Sequence, residues 1–235
     1  MPTILITGAN RGIGLQFAQR YAKQGGYKVV VAVRDVSKMP KIEGVQVITI
    51  DSSTTTGAKE GVEELKKLGI DKLDVVIANA AVNLTNAPFS EVSTADLDMT
   101  YYVNIRGVVV LFQAVLPLLP KSTGKFIVIS SGAGTINKPE MGPGQGAYAM
   151  SKAAINFVVR KMHFENPDYL IAGFSPGWVK TDMGNQGAQW AELEGGVAPE
   201  DINETVPGMM ELIAAGDREK LGGWMTNWNG DRMEF

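Results

Sequence analysis

The stretch "TILITGANRGIG", residues 3–14, decides the fold. It begins with a short run of apolar, β-branched residues over 3–7, passes through a turn that contains Gly8, Gly12 and Gly14, and leads into a helical pattern. A nearly continuous apolar run is typical of a parallel strand covered on both faces. A glycine-rich turn between such a strand and a helix lets the backbone approach a pyrophosphate, to which the helix N-terminus offers free N–H groups. The stretch therefore predicts the dinucleotide-binding end of an α/β fold.

The rest of the chain repeats this alternation of short apolar runs and longer helical patterns. Further strands are predicted at 28–33, 45–50, 73–78, 125–130, 169–174 and 223–228, and helices at 13–24, 57–68, 94–118, 147–165 and 204–215. Regular alternation without a linker predicts one Rossmann-type domain over 1–235, a doubly wound, seven-stranded parallel sheet with helices on both faces. Two stretches rich in glycine and proline, 132–146 and 184–201, are predicted to be loops, and the second is predicted to be a lid over the substrate.

The composition argues against several classes of protein. A net charge of −3 gives no reason to expect nucleic acid or an anionic membrane as a partner. The chain has no cysteine and a single histidine, His163, so we expect no disulfide scaffold, no thiolate nucleophile and no metal site. The most apolar segment, "GVVVLFQAVLPLL", is too short to span a bilayer, and the first residues are typical of a strand rather than a secretory signal. We therefore expect a cytoplasmic location.

The end of the second predicted strand, "VAVRD", bears on the choice of dinucleotide. Sites specific for NAD usually carry an acid there that binds the ribose 2′-hydroxyl. Val33 stands in that place, Arg34 follows, and Asp35 comes one residue late. Arg11 in the glycine turn is a second cation, and guanidinium groups pair well with phosphate. The pattern favours NADPH/NADP+, the alternative being that both arginines are solvated surface charges.

Tyr148 and Lys152 lie four residues apart at the start of a predicted helix and therefore share a face. A free tyrosine, with a pKa near 10, is a weak acid at neutral pH. A lysine ammonium about 4 Å away, at an effective dielectric constant of ~20, is worth roughly 4 kcal/mol, or about three pKa units. The pair therefore predicts a tyrosine whose pKa is lowered toward 7 and which acts as a general acid. The alternative is a polar pair on a helix surface.

These features occur together in one known family. "TGANRGIG", "NAA" after the fourth strand, "ISS" at the end of the fifth, and Tyr148-x-x-x-Lys152 resemble, in order, the motifs of the short-chain dehydrogenase/reductase family. "RKMHFENPDYLIAGFSPGWVKTDMGNQGA" and "NWNGDRMEF" are similar to a narrower branch, that of fungal norsolorinic-acid-ketoreductase-like and C-factor-like carbonyl reductases.

The resemblance implies roles for individual residues. Tyr148 would protonate the carbonyl oxygen, Lys152 would lower its pKa and hold the nicotinamide ribose, and Asn104 would hold a water in a proton relay. A serine would bind the substrate oxygen; alignment favours Ser131, and Ser130 is the alternative. The predicted cofactor site comprises Gly8, Asn10, Arg11, Gly12, Ile13, Gly14, Arg34, Asp51, Ser52, Asn79, Ala80, Tyr148, Lys152, Pro176, Gly177, Val179 and Thr181, and the predicted substrate site comprises Ser131, Tyr148, Trp178, Met183 and Trp190.

The resulting hypothesis is an NADPH-dependent ketoreductase or carbonyl reductase that acts on a ketone or aldehyde, for which the resemblance suggests an aromatic or polyketide-derived carbonyl. Alternatives are an alcohol dehydrogenase that works toward oxidation and a non-enzymatic, NADP-responsive binding protein. The helix at 94–118 and the helix that carries Tyr148 would pair across a two-fold axis in a homodimer or homotetramer. A monomer is equally compatible with the sequence.

Overall fold

The computed structural model describes residues 1–137 and 144–234. Within these residues one sheet contains eight strands in the order β3-β2-β1-β4-β5-β6-β7-β8. The strands are β1 Thr3–Thr7, β2 Lys28–Val33, β3 Gln46–Thr49, β4 Val75–Ala78, β5 Lys125–Ile129, β6 Leu170–Ser175, β7 Met225–Asn227 and β8 Arg232–Met233. The first seven are parallel, which confirms the predicted doubly wound sheet. The strand count of seven was one too low, because β8 turns back antiparallel beside β7.

Helices cover both faces of this sheet, as predicted. They are α1 Gly12–Gln24, α2 Gly57–Lys67, α3 Thr94–Tyr101, α4 Gly107–Val115, α5 Gly146–Glu165, α6 Asp182–Trp190, α7 Ile202–Ala215 and α8 Arg218–Leu221. One buried apolar cluster joins the sheet to α2, α4 and α5, for example through Leu65, Leu111 and Ile155. The other joins it to α1 and α7 through Phe17 and Met209. The two clusters fix the helices that carry the candidate site.

The predicted helix at 94–118 consists of several segments. Ser93 caps α3, since its Oγ accepts a hydrogen bond from the Asp96 N–H at 3.0 Å, and a π-helical turn, Tyr102–Arg106, separates α3 from α4. By length and composition alone, Thr94–Leu118 would be apolar enough to cross a membrane. However, its most buried side chains, including Phe112 and Val115, pack against the sheet, as is typical of a central helix in a globular fold.

The two predicted loops differ from expectation. Residues 184–201 are not a continuous loop, because α6 occupies their first part and extends from the Thr181 cap. Glycines at 184 and 187 hide this helix in the sequence, since glycine has a low helix propensity. In the other predicted loop, 132–146, Gly132–Gly134 forms a short 3₁₀ turn. Positions 138–143 of this loop lie outside the described residues.

The strand order indicates at which edge of the sheet a ligand would bind. β1 pairs with β2 on one side and β4 on the other, so the chain reverses its winding direction at β1. In open α/β sheets, ligands bind outside the carboxyl ends of the strands at such a reversal. The glycine turn follows β1, Asn79 follows β4, Ser130 and Ser131 follow β5, and Pro176 follows β6, so all these residues meet at this edge.

Candidate active site

The turn between β1 and α1 contains six of the predicted cofactor residues. Gly8 has a φ of 65°, and a Cβ there would lie 2.8 Å from the Cα of Ala80. A Cβ on Gly14 would lie 2.5 Å from Asn79 Nδ2. Only glycine fits either position, and the turn therefore lies close to the chain after β4. Arg11, the first residue before α1, makes no side-chain cap and so leaves the first N–H groups of the helix available to a ligand. This arrangement fits a pyrophosphate. The six residues are Gly8, Asn10, Arg11, Gly12, Ile13 and Gly14.

Asn79 fixes this turn from the neighbouring strand. Its Nδ2 donates to the carbonyl oxygens of Thr7 at 2.9 Å and Gly8 at 3.1 Å. In return, Thr7 Oγ1 accepts from the N–H groups of Asn79 and Ala80. The Asn79 amide is thus committed to the protein, and its contribution to a cofactor site is to position the glycine turn.

The end of β2 carries an available cation. Arg34 is exposed, and no carboxylate in residues 1–137 or 144–234 lies within 4.0 Å of its side-chain nitrogens. Asp35 has a local role, because its Oδ1 accepts from the Ser37 N–H at 3.0 Å and Oγ at 2.6 Å. These hydrogen bonds lower the pKa of the Asp35 carboxyl. Arg11 faces Asp182 at 3.9 Å, and both side chains are largely exposed, so this ion pair is weak. Arg34 therefore offers its guanidinium group to a 2′-phosphate, while Arg11 lies at the glycine turn beside α6.

Asp51 and Ser52 follow β3 at the same edge. Asp51 Oδ1 accepts from the N–H and Oγ of Ser53 at 2.9 and 2.6 Å. Its Oδ2 has no hydrogen-bond partner in the described part of the chain and remains available to an adenine amino group. The backbone of Ser52 lies against Gly107, where a Cβ would come within 2.5 Å of the Ser52 carbonyl oxygen.

Tyr148 and Lys152 lie in the first two turns of α5, where the helix passes the end of β5. Lys152 Nζ donates to the Ile129 carbonyl oxygen at 2.9 Å and lies 5.4 Å from the centre of the Tyr148 ring. Ser131 lies near enough to Tyr148 to lower the pKa of its phenol, and its Oγ accepts from the Ala133 N–H at 3.1 Å. Ser130 is buried and donates from its Oγ to Asn156 Oδ1 at 2.6 Å. The geometry therefore selects Ser131 as the serine of this group.

The pKa values of Tyr148 and Lys152 differ from those expected from the sequence. Burial raises the pKa of Tyr148 to about 12, against a smaller lowering by the nearby Ser131. Burial also lowers the pKa of Lys152 to about 8. The prediction that Lys152 lowers the tyrosine pKa toward 7 is thus wrong for the unliganded protein. Removal of both groups from water disfavours both charged forms, and the ammonium is directed at a backbone carbonyl.

Asn104 lies within the long predicted helix and connects two neighbouring segments of the chain. Its side chain, 2% exposed, lies in the π-helical turn. Its Oδ1 accepts from the Val82 N–H at 2.8 Å, and its Nδ2 donates to the Val82 carbonyl at 2.9 Å and to Ser151 Oγ at 3.0 Å. Ser151 Oγ donates in turn to the Tyr148 carbonyl at 2.6 Å. These hydrogen bonds join the chain after β4 to α5. They fill three of the four hydrogen-bonding positions of the amide, so the second lone pair of Oδ1 is the position that a relay water would use.

The segment after β6 is held in place by Glu200. The Lys180 N–H donates to the Glu200 carbonyl and the Glu200 N–H donates to the Trp178 carbonyl, each at 2.9 Å. Because a peptide group is planar and trans, the Val179 N–H points away from Glu200 and is available to a ligand. Thr181 Oγ1 accepts from the Gly184 N–H at 3.1 Å and so caps α6. The predicted cofactor residues of this segment are Pro176, Gly177, Val179 and Thr181.

A cleft of about 520 Å³ lies between the chain after β4 and α6. Of the predicted substrate residues on this side, Met183 lines it. Trp178 and Trp190 are not among the lining residues, and the Trp178 indole N–H donates to the Gly184 carbonyl at 2.9 Å. A second cavity of about 390 Å³ lies at the far end of α5, beside Arg160 and Trp224. The lining residues of the first cleft are Arg11, Val82, Asn83, Leu84, Asp182, Met183, Asn185, Gln186 and Gln189.

Two residues of the cleft region escaped sequence analysis. Asn83 Nδ2 donates to Gln145 Oε1 at 2.9 Å, which links a wall of the cleft to the start of α5. Gln145 has a φ of 55°, which a side chain rarely adopts. Only its place between Gly144 and Gly146, three residues before Tyr148, marks it in the sequence.

Comparison with known proteins agrees with the fold and identifies the family. The model of the short chain dehydrogenase family matches residues 2–192, and the chain therefore belongs to this family of oxidoreductases. The chain is 32% identical to a norsolorinic acid ketoreductase of Dothistroma septosporum over 99% of its own length and 92% of the relative's. It is 34% identical to a norsolorinic acid ketoreductase of Aspergillus parasiticus over 98% and 90%. The structure is similar to that of NADPH-bound carbonyl reductase from chicken fatty liver, with a TM-score of 0.85, 25% identity, and coverage of 100% and 99%.

Proposed function

We propose that the protein is an NADPH-dependent carbonyl reductase that reduces a ketone or aldehyde to an alcohol. The observation that carries the proposal is the group formed by Ser131, Tyr148 and Lys152 at the carboxyl edge of the sheet, beside the glycine turn. NADPH, when bound, supplies the hydride. The glycine turn, the Val179 N–H and the cation of Arg34 fit a pyrophosphate, a carboxamide and a 2′-phosphate respectively.

Tyr148 is the proton donor of the proposed reaction. The carbonyl carbon gains a hydride, and the carbonyl oxygen accepts the phenolic proton, so an alcohol forms and a phenolate remains. Ser131 donates a hydrogen bond to the carbonyl oxygen and orients it. The Lys152 ammonium, 5.4 Å from the ring centre, stabilises the phenolate electrostatically.

The raised pKa of Tyr148 determines which form of the phenol is present. At neutral pH a phenol with a pKa of about 12 is protonated and can donate. The alkoxide that forms from the carbonyl is a stronger base than a phenolate, so the proton transfer is downhill. The same residues would serve the oxidation of an alcohol in reverse, with the phenolate as base.

For the substrate we propose an aromatic, polyketide-derived ketone. Both quoted fungal relatives carry the name norsolorinic acid ketoreductase. The cleft combines apolar surface from Val82, Leu84 and Met183 with amide groups, as an aromatic ketone with polar substituents would require. The first half of the segment 184–201, which includes most of α6, forms one wall of this cleft and is proposed to be the lid.

Replacement of Tyr148 by Phe tests the function. We expect NADPH oxidation with a panel of aromatic ketones to fall at least about a hundredfold, as is usual for loss of a general acid. NADPH affinity, measured by fluorescence titration, should stay within about twofold. Tyr27→Phe is the matched control, because Tyr27 packs edge-on against Tyr21 outside the cleft. Retained turnover in Tyr148→Phe would remove Tyr148 as the acid.

A further inference from the structure

The hydrogen-bonded amides of Asn83 and Gln145, here called the amide pair, form a feature that the proposed reaction does not use. Asn83 lines the cleft, and its Nδ2 donates to Gln145 Oε1 at 2.9 Å. Gln145 is the residue immediately before α5, and Tyr148 is the third residue of that helix. The Gln145 carbonyl accepts a hydrogen bond from the Ala149 N–H at 3.0 Å. The amide pair therefore lies at the N-terminus of the helix that carries the proposed proton donor.

One acceptor and one donor of the amide pair have no partner within the described residues. Asn83 Oδ1 is buried and accepts no hydrogen bond within residues 1–137 and 144–234. The Gln145 Nε2 amide group likewise donates to no atom of these residues. A buried acceptor without a donor costs free energy, so such groups are rare unless a ligand completes them. Rotation of both amides by 180° would exchange the two roles and again leave one acceptor and one donor.

The backbone of Gln145 indicates that its side chain is retained for a purpose. Its φ of 55° and ψ of 14° lie in the left-handed region, where glycine is free of strain. The Gln145 side chain makes no cap for α5 that would offset this cost. Strained backbone of this kind clusters at ligand sites. Gly187 of α6 lies beside this side chain, since a Cβ there would be in ordinary van der Waals contact with Gln145 Oε1 at 3.5 Å.

We propose that the amide pair is a specificity-determining site that binds a hydroxyl group of the substrate, so that the enzyme prefers hydroxylated ketones. The inference rests on the proposed carbonyl reduction. A hydroxyl both donates and accepts a hydrogen bond, and therefore satisfies Asn83 Oδ1 and Gln145 Nε2 together. A carboxylate only accepts hydrogen bonds and would face the Asn83 oxygen. A methyl group would leave Asn83 Oδ1 without a donor and Gln145 Nε2 without an acceptor.

Two ketones of the same shape test this specificity. We expect kcat/KM for 3′-hydroxyacetophenone to exceed that for 3′-methylacetophenone by about tenfold, as is reasonable for one or two added hydrogen bonds. Asn83→Leu should reduce this ratio to about one. Gln145→Gly should do the same without lowering Tm, because glycine relieves the left-handed backbone. The NADPH dissociation constant should stay within about twofold in both variants.

A control variant and two sets of results distinguish a failure of this inference from a failure of the proposed carbonyl reduction. Gln19→Leu removes one member of an exposed amide pair on α1, in which Gln16 Nε2 donates to Gln19 Oε1 at 3.3 Å, and should leave the ratio unchanged. Equal kcat/KM values in the wild type, or an unchanged ratio in Gln145→Gly, would overturn the inference while carbonyl reduction stands. If the wild type oxidises NADPH with neither of these ketones nor any other carbonyl in the panel, the proposed function fails and the inference with it.

Discussion

The acidity of Tyr148 depends on its burial more than on its charged neighbour. A point-charge estimate from the sequence assumes a solvated phenol with an ammonium nearby, whereas the folded chain removes both groups from water. Desolvation raises the tyrosine pKa to about 12 and lowers the lysine pKa to about 8. No sequence pattern reports desolvation, because it depends on which segments cover the site. For the same reason the sequence could not choose between Ser130 and Ser131, which are adjacent but face a buried asparagine and the tyrosine respectively.

The lowered pKa of Lys152 predicts a pH dependence. A lysine with a pKa of about 8 loses its charge as the pH rises through 8, not through 10.5. Since kcat/KM reports groups of the free enzyme, we expect kcat/KM for reduction to be level below pH 7 and to fall with a midpoint near 8. Lys125, whose pKa burial also lowers, is the control, because it is bound to carbonyls at the end of α7. Lys125→Arg should leave the midpoint unchanged. A flat profile to pH 10 would contradict the assignment.

Arg34 should decide the preference between the two dinucleotides. It lies exposed after β2, while the acid that would bind a ribose hydroxyl, Asp35, is committed to Ser37. We expect Arg34→Ala to weaken NADPH binding about tenfold through the lost phosphate contact, and to change NADH binding less than twofold. Fluorescence titrations with both dinucleotides measure this. Lys23→Ala, an exposed cation on α1, serves as control. An equal loss for NADPH and NADH would mean that Arg34 does not contact the 2′-phosphate.

At the scale of elements, the spacing of apolar residues predicted helices and strands where these residues repeat regularly. It failed to predict a helix where glycine interrupts the pattern. β1 to β6 and the helices α1, α2 and α5 lie within a few residues of prediction, because each buries a continuous run or a regular stripe. α6 was assigned to a loop, although Thr181 is a strong capping residue, since two of its first six residues are glycine. β8 has two residues and depends on its pairing with β7, which no local pattern indicates.

The π-helical turn between α3 and α4 is the element whose purpose the sequence least reveals. It sets Asn104 against the Val82 backbone and Ser151. Asn104→Ala would leave the N–H and carbonyl groups of Val82 unpaired, each at a cost of about 1–3 kcal/mol if it stays buried. We expect the free energy of unfolding to fall by about 2–4 kcal/mol and kcat to fall at least about tenfold, because α5 carries Tyr148.

A second buried asparagine separates stability from activity in this test. Asn156 accepts from Ser130 in the core at 2.6 Å. Asn156→Ala should destabilise the protein to a similar degree in chemical denaturation, yet keep kcat within about twofold. If both variants lose kcat equally, the effect of Asn104 is general destabilisation rather than positioning.

At the scale of the molecule, the site is assembled by topology. Gly8, Asn79, Ser131 and Pro176 are separated by 45 to 71 positions and converge only because their strands are parallel neighbours with carboxyl ends at one edge. The order of motifs allowed this convergence to be predicted. The amide pair was not predictable, because its two residues are 62 positions apart and meet through the approach of the chain after β4 to the start of α5.

The outer face of α5 predicts association of two copies of the chain. Met150, Phe157 and Phe164 recur every seven residues and are 44%, 68% and 65% exposed, so they form one apolar stripe along the helix. Exposed apolar patches of this kind are typical of interfaces, and a two-fold axis would pack the stripe against its own copy. We expect a dimer at micromolar concentration in light scattering, and Phe157→Glu should convert it to a monomer, because two like charges would meet at the centre. Leu68→Glu, on an exposed apolar residue after α2, should leave the mass unchanged. A wild-type monomer at the highest soluble concentration would contradict the interface, and a Phe157→Glu dimer would assign it to another surface.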